Sequence, residues 1–278
     1  MLMITGAGGQ LGKAAVERCR KADIDFISAD RTELDITNKD AIASFVRDKN
    51  IDCILNCAAY TAVDAAEEHV GEAYAVNAYA PHCLAITGIP LIHVSTDYVF
   101  DGRSDVPYET DAKTNPLSVY GLSKRAGETA LLESGQKGLI VRTAWVYSSD
   151  PETRNFYNTM KRLGKTHSEV RVVSDQIGTP TLADDLADAL VRLYKQGSFK
   201  REMHVLHFTN SGSCSWFDFA SAIIGKINPA CRVVPIATSE YPTKAVRPGY
   251  SVMSLKSMQN IGINPRSWQD ALASTFLE

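Results

Sequence analysis

Two short runs carry side chains able to move a proton. Ser95-Thr96-Asp97-Tyr98 follows an apolar run, and Tyr120-Gly121-Leu122-Ser123-Lys124 sets a phenol and an ammonium four residues apart. On a helix that spacing places Tyr120 and Lys124 one turn apart on one face. A free tyrosine titrates near about 10 and is a poor acid–base group at neutral pH, whereas a fixed ammonium beside it favours the phenolate. Thr96 is able to hold a substrate oxygen next to the phenol, so the three side chains together suit the polarisation and protonation of a ketone. Tyr-x-x-x-Lys alone arises by chance in roughly one of two chains of this composition, so its weight comes from its surroundings.

Those surroundings include Gly6-Ala7-Gly8-Gly9-Gln10-Leu11-Gly12, with Gly6, Gly9 and Gly12 at a G-x-x-G-x-x-G spacing. With 18 glycines in 278 residues, three at that spacing arise by chance roughly 0.08 times per chain. Glycines permit a tight turn and let backbone approach a pyrophosphate, while the following helix offers free N–H groups and a positive dipole end. Asp30 ends the next apolar run, eighteen residues after Gly12. An acid there accepts hydrogen bonds from an adenosine ribose and favours NAD; Arg31 beside it suits a 2′-phosphate and favours NADP. NADPH and NADH both remain open as the coenzyme.

Such residues need a scaffold that gathers strand ends. The first half alternates apolar runs at 2–5, 25–29, 53–57, 91–95 and 139–142 with amphipathic segments at 11–21, 39–49, 70–86 and 119–132. Alternation of this kind predicts a parallel sheet with crossover helices, its strands apolar throughout because both faces are covered. Further helices are expected at 156–163, 183–195, 216–227 and 267–276, with turn-rich stretches around Gly178 and Pro248. The expected fold class is therefore α/β: a Rossmann-type doubly wound parallel sheet with a smaller, partly interleaved C-terminal substrate lobe. Residues 1–146 form the dinucleotide-binding domain and 147–278 mainly the substrate-binding lobe, with the helix at 183–195 placed to return to the first domain.

Bulk properties exclude several classes. A net charge of −3 gives no footprint for nucleic acid or an anionic membrane, so anionic ligands need a local site. The 6 cysteines are scattered without zinc-ligand spacing, which fits a reducing compartment. No basic segment leads into a long apolar stretch at Met1, and no apolar run approaches the roughly 20 residues of a membrane span, so a cytoplasmic protein is expected. The six histidines, His93 among them, sit beside no nucleophile and are read as structural, as are Asn77, Trp216 and Phe217.

The pattern resembles the extended short-chain dehydrogenase/reductases and, within them, the dTDP-4-dehydrorhamnose reductases. Besides the glycine turn and the Tyr120–Lys124 pair, the likeness is carried by Asn56-Cys57-Ala58-Ala59-Tyr60-Thr61-Ala62-Val63-Asp64 and Ser95-Thr96-Asp97-Tyr98-Val99-Phe100. It continues through Arg142-Thr143-Ala144-Trp145-Val146-Tyr147, the stretch 175–181, and Arg247-Pro248-Gly249-Tyr250-Ser251. The resemblance implies that Gly9, Gln10 and Leu11 meet the pyrophosphate, that Asp30, Asp35 and Ile36 flank the adenosine, and that Ala59, Tyr60 and Thr61 lie along the coenzyme. It implies a catalytic set of Thr96, Tyr120 and Lys124, with Asp97 and Trp145 on the sugar nucleotide and Arg247 on its diphosphate.

The implied reaction is hydride transfer from NAD(P)H to the 4-keto group of dTDP-4-dehydro-6-deoxy-L-mannose, with Tyr120 as general acid. Related readings are another nucleotide-sugar reductase or epimerase, or a non-catalytic dinucleotide-binding regulatory subunit. Sugar-nucleotide dehydration is disfavoured, because Tyr98 stands where that chemistry places an acid. Tyr250 departs from the asparagine common in the family, with an expected effect on sugar or base contacts. Some relatives dimerise through magnesium; a homodimer stays open here, and no metal is carried over.

Overall fold

The computed structural model describes residues 1–277. The chain runs β1 (Leu2–Thr5), α1 (Gln10–Lys21), β2 (Phe26–Ala29), α2 (Lys39–Val46), β3 (Cys53–Asn56), α3 (Val63–Ala66), α4 (Val70–Tyr74), α5 (Ala80–Ile86), β4 (Leu91–Thr96), α6 (Val119–Glu133) and β5 (Gly138–Thr143). There follow β6 (Val146–Tyr147), α7 (Phe156–Thr166), β7 (Glu169–Val173), β8 (Ile177–Gly178), β9 (Thr181–Leu182), α8 (Ala183–Lys195) and β10 (His204–His207). The last elements are β11 (Cys214–Ser215), α9 (Trp216–Ile227), β12 (Arg232–Ile236), α10 (Lys256–Gln259) and α11 (Trp268–Ser274).

Six strands form one parallel sheet in the order β2-β1-β3-β4-β5-β10. Side chains alternate between its faces. Leu2 and Ile4 point into a core shared with Ala15, Cys19 and Leu190, while Met3 joins Leu84, Leu131 and Ile140 on the other side. Both faces are buried, which is why these strands read as unbroken apolar runs. β1 lies between β2 and β3, so the crossovers leaving it and returning past it run in opposite directions. That switch point opens a crevice at the carboxyl ends of the strands, where doubly wound folds bind ligands.

Three features depart from the expected elements. The helix expected over 70–86 is interrupted by a π-helical turn, Ala75–Tyr79. Pro81 has no N–H to offer the Asn77 carbonyl, so the α ladder loses its bond there. The expected strands at 25–29 and 53–57 are each one residue shorter, Phe26–Ala29 and Cys53–Asn56. The sixth strand, β10, had no counterpart among the expected elements; it pairs with β5 from Leu139 to Arg142.

α8 packs along α1 and supplies Leu186, Leu190 and Leu193 to the same core, so the chain returns to the sheet twice after residue 147. A second core lies elsewhere, built by Tyr157, Phe219, Ile223 and Leu272 between α7, α9, α11 and the β7–β12 pair. Among the described residues, no helix is long and apolar enough to cross a membrane.

Candidate active site

A cleft of about 1380 Å³ runs along the carboxyl ends of the strands, with the first core on one side and the second on the other. Single small-molecule sites span roughly 300–1,000 Å³, so this one has room for more than one ligand. Its dinucleotide wall begins at the turn after β1. Gly6 has φ +69° and lies against the Cys57–Ala58 backbone, which leaves no room for a Cβ. The N-terminus of α1 has no capping side chain and no acid in its first turn, so its N–H groups are open to an anion. Gly9, Gln10 and Leu11 line the cleft. Gly12 does not: contrary to its expected role at the coenzyme, it packs α1 on the turn, and a Cβ would collide with the Gly6 carbonyl.

Asp30, Arg31, Asp35 and Ile36 line the far end of this wall. The Asp30 carboxyl accepts from the Thr32 hydroxyl and N–H, both at 2.7 Å, and those bonds hold it below the usual carboxylate range. Asp35 is held down in the same way by Thr37. On the near side, Ala59, Tyr60 and Thr61 line the cleft after β3. Asn77, inside the π turn, clamps that segment: it accepts from Tyr60 N–H at 2.9 Å and donates to the Tyr60 carbonyl and the Ser123 hydroxyl, each at 3.0 Å.

Thr96 ends β4, and Tyr120 and Lys124 stand on the first turns of α6, whose N-terminus is capped by the Ser118 hydroxyl. All three line the cleft. Thr96 Oγ1 donates to Asp97 Oδ1 at 3.1 Å and accepts from the Tyr98 N–H at 3.2 Å. Burial pushes the Tyr120 phenol up to about 12, against a smaller downward pull from Thr96. Burial thus favours the protonated phenol. Lys124 is buried and donates to the Val94 carbonyl at 2.7 Å. Burial pulls it down to about 8, against the opposing pull of Glu128 and Cys57.

Next to Thr96, Asp97 is buried, and its Oδ2 has no partner among the described residues. Burial raises its carboxyl to about 6, although Thr96 donates to its Oδ1 at 3.1 Å and Ser251 also pulls it down. Trp145 adopts φ +47°, a left-handed backbone that costs a bulky residue energy. Its ring stacks on Trp216 at 3.5 Å and covers Gly178, where a Cβ would strike the indole. Arg247 lines the cleft and engages Asp64 through both carboxylate oxygens, at 3.1 and 2.7 Å.

A model of the family described as RmlD substrate binding domain matches residues 1–278. The chain belongs to that family. It is 41% identical to a dTDP-4-dehydrorhamnose reductase of Mycobacterium tuberculosis, over 99% of this chain and 92% of the relative. It is 36% identical to the spore coat polysaccharide biosynthesis protein SpsK of Bacillus subtilis, over 100% of this chain and 97% of that one. A dTDP-4-dehydrorhamnose reductase crystal structure from Bacillus anthracis, in complex with NADP, superposes with a TM-score of 0.92 at 37% identity, covering 99% and 98% of the two chains. One from Clostridium acetobutylicum gives 0.92 at 38% identity and the same coverage.

Within this RmlD-family site, further aromatic residues line the cleft. Tyr98 lines the cleft and meets Tyr120 edge-on at 5.4 Å. Trp216, read as packing, does pack on the second core and also lines the cleft, with Phe156 tilted against it at 4.5 Å. In the sequence Trp216 carried no signal of this position beyond being aromatic at the start of an amphipathic helix. Tyr250, expected to alter ligand contacts, is absent from the cleft wall and packs near Tyr108 at 6.4 Å. Among the described residues, no group of three His, Cys, Asp or Glu side chains is placed to hold a metal.

Proposed function

We propose that this chain reduces the 4-keto group of dTDP-4-dehydro-6-deoxy-L-mannose to give dTDP-L-rhamnose, using NADPH or NADH. The observation that carries the reading is the gathering of Thr96, Tyr120 and Lys124 in the switch-point cleft, in a chain alike over nearly its whole length to reductases of that name. The bound coenzyme supplies the hydride.

The chain's own residues divide the remaining work. Gly6, Gly9, Gln10 and Leu11 hold the pyrophosphate against the α1 N-terminus, and Asp30, Arg31, Asp35 and Ile36 hold the adenosine end. Ala59, Tyr60 and Thr61 flank the middle of the dinucleotide. The residues of 1–146 thus face the coenzyme, and the lobe within 147–278 closes on the sugar nucleotide. Tyr120, protonated at neutral pH because of its burial, gives its proton to the developing alkoxide. Thr96 orients the ketone oxygen, and the Lys124 ammonium stabilises the phenolate that remains. Asp97 Oδ2, lacking a partner, accepts from a sugar hydroxyl, and the Trp145–Trp216 stack offers an apolar platform to the deoxysugar. Asp64 and the Ala245 carbonyl take three Arg247 donors, leaving two of a guanidinium's five N–H groups for a diphosphate.

The test supplies dTDP-4-dehydro-6-deoxy-L-mannose made in situ with NADPH or NADH in separate runs and follows oxidation of the reduced nicotinamide. Oxidation that needs both the sugar nucleotide and Tyr120, falling by roughly 10²-fold or more in Tyr120→Phe, is the expected result. Dinucleotide binding without any substrate-dependent oxidation would sink it.

A further inference from the structure

Behind Lys124 lies a buried polar chain that the reaction outlined above does not use. Thr5 on β1, Asn56 on β3, His93 on β4 and Lys124 on α6 are all at most 1% exposed. Thr5 Oγ1 donates to Asn56 Oδ1 at 2.7 Å, and the Ala58 backbone N–H donates to the same oxygen at 3.1 Å. Asn56 Nδ2 lies 3.0 Å from His93 Nδ1, and His93 Nε2 lies 3.3 Å from Lys124 Nζ.

The direction of every bond in this chain follows from its first member. A backbone N–H is always a donor, so the Asn56 atom facing Ala58 is the carbonyl oxygen and the one facing His93 is the NH₂ group. His93 Nδ1 must then accept, which places the ring proton on Nε2. Burial and the neighbouring lysine hold His93 well below the usual histidine range, so the ring is neutral and carries only that one proton. The Nε2–H thus points at Lys124 Nζ. An ammonium has no lone pair to receive it; a neutral amine does, and still has hydrogens for the Val94 carbonyl.

We propose that His93 is a positioning residue: oriented by Asn56, it presents Nε2–H to Lys124, stabilises the neutral amine and so keeps the lysine's proton transferable to Tyr120. In that step an Nζ–H bond breaks and an Oη–H bond forms; the tyrosinate becomes phenol, the ammonium becomes amine, and solvent later restores the lysine's proton. The other titratable groups acting on Lys124 are Cys57 after β3 and Glu128 on its own helix, and Tyr120 stands one turn before it on α6. Glu128 is engaged with Arg142 at 2.8 Å, leaving His93 as the facing group that opposes the ammonium by a directed bond. The proposal rests on the catalytic reading of Tyr120 and Lys124.

Its first test is made on the resting protein. Long-range ¹⁵N spectra of labelled histidine, assigned with His93→Gln, are expected to show Nε2 protonated and Nδ1 bare across neutral pH. A ring with Nδ1–H, or one that takes up a second proton near neutrality, overturns the proposal. Lys124, followed through its ¹³Cε resonance, is expected to titrate near 8. In His93→Gln an amide oxygen can turn to the ammonium, and that titration and the alkaline limb of kcat both move up by about one pH unit or more. A limb left in place while kcat falls evenly at all pH values would mean a merely structural histidine.

Should His93→Gln not fold, Asn56→Asp keeps the shape and replaces the donor by an acceptor. It is expected to turn His93 to the Nδ1–H form and raise the Lys124 titration; retention of Nε2–H there counts against the proposal. Turnover that survives Tyr120→Phe would sink the catalytic reading, while the tautomer and the lysine titration are read without turnover.

Discussion

Asp97 shows how one side chain at the cleft trades stability for a free acceptor. Its carboxyl is 1% exposed, with Oδ2 unpartnered among the described residues and a pKa raised to about 6 by burial. The raised value means the fold opposes the ionised form: the penalty is absent below the ordinary carboxylate pKa and complete once pH passes the folded one. An isosteric amide cannot ionise. Asp97→Asn is therefore expected to be more stable than the parent by on the order of 3 kcal/mol at about pH 8, with the gain vanishing by about pH 4. Thermal unfolding followed across that range checks it. A gain that persists unchanged into acid would point to packing instead of ionisation. The same variant is expected to bind the sugar nucleotide more weakly, as an amide offers a poorer acceptor than a carboxylate.

At the scale of elements, the site depends on how closely α6 approaches the π turn. Gly127 makes that approach: a Cβ there would strike the Asn77 carbonyl, which is backbone and cannot rotate away. Gly127→Ala should push α6, with Tyr120 and Lys124, away from the Tyr60 segment that Asn77 clamps. The expected outcome is a loss of about 1–3 kcal/mol in denaturant unfolding, with kcat lowered tenfold or more. Wild-type kcat in a variant of lowered stability would separate the packing from the chemistry.

The same element marks the limit of what the sequence discloses. The strands from β1 to β5 were legible because both sheet faces are buried, and Met3-Ile4 or Leu139-Ile140 can only be apolar. β10 was not: His204 and His207 frame two apolar residues, and an edge strand needs no longer run. The residues proposed to move the proton can be picked out by type and spacing, because helix geometry alone brings Tyr120 and Lys124 to one face. The bonds that hold them were not, since Asn77 reaches Ser123 and Asn56 reaches His93 across 46 and 37 residues of sequence. Nor does any local pattern distinguish Trp216 in the cleft wall from a tryptophan in a core.

For the molecule as a whole, two cores face each other across one cleft and are tied at both ends. On the dinucleotide side, Gln10 donates to the Val146 carbonyl at 3.0 Å and accepts from Asn155 at 2.8 Å, while Lys13 meets Asp150 at 3.0 Å. At the other end Arg247 meets Asp64 at 2.7 Å and Lys244 meets Glu68 at 2.5 Å. Exposed pairs such as Lys13–Asp150 and Lys244–Glu68 contribute little individually, about 0–1 kcal/mol. A cleft larger than one ligand needs, with glycine turn and aromatic stack on separate walls, implies that coenzyme and nucleotide bind together. Each ligand at about 100 times its dissociation constant should stabilise the fold by about 2.7 kcal/mol, or several degrees in melting temperature. NADP⁺ and dTDP together are then expected to raise the melting temperature by nearly the sum of their separate effects. If dTDP adds nothing to the enzyme saturated with NADP⁺, the two compete for one wall, and the division of the cleft between coenzyme and sugar nucleotide is wrong.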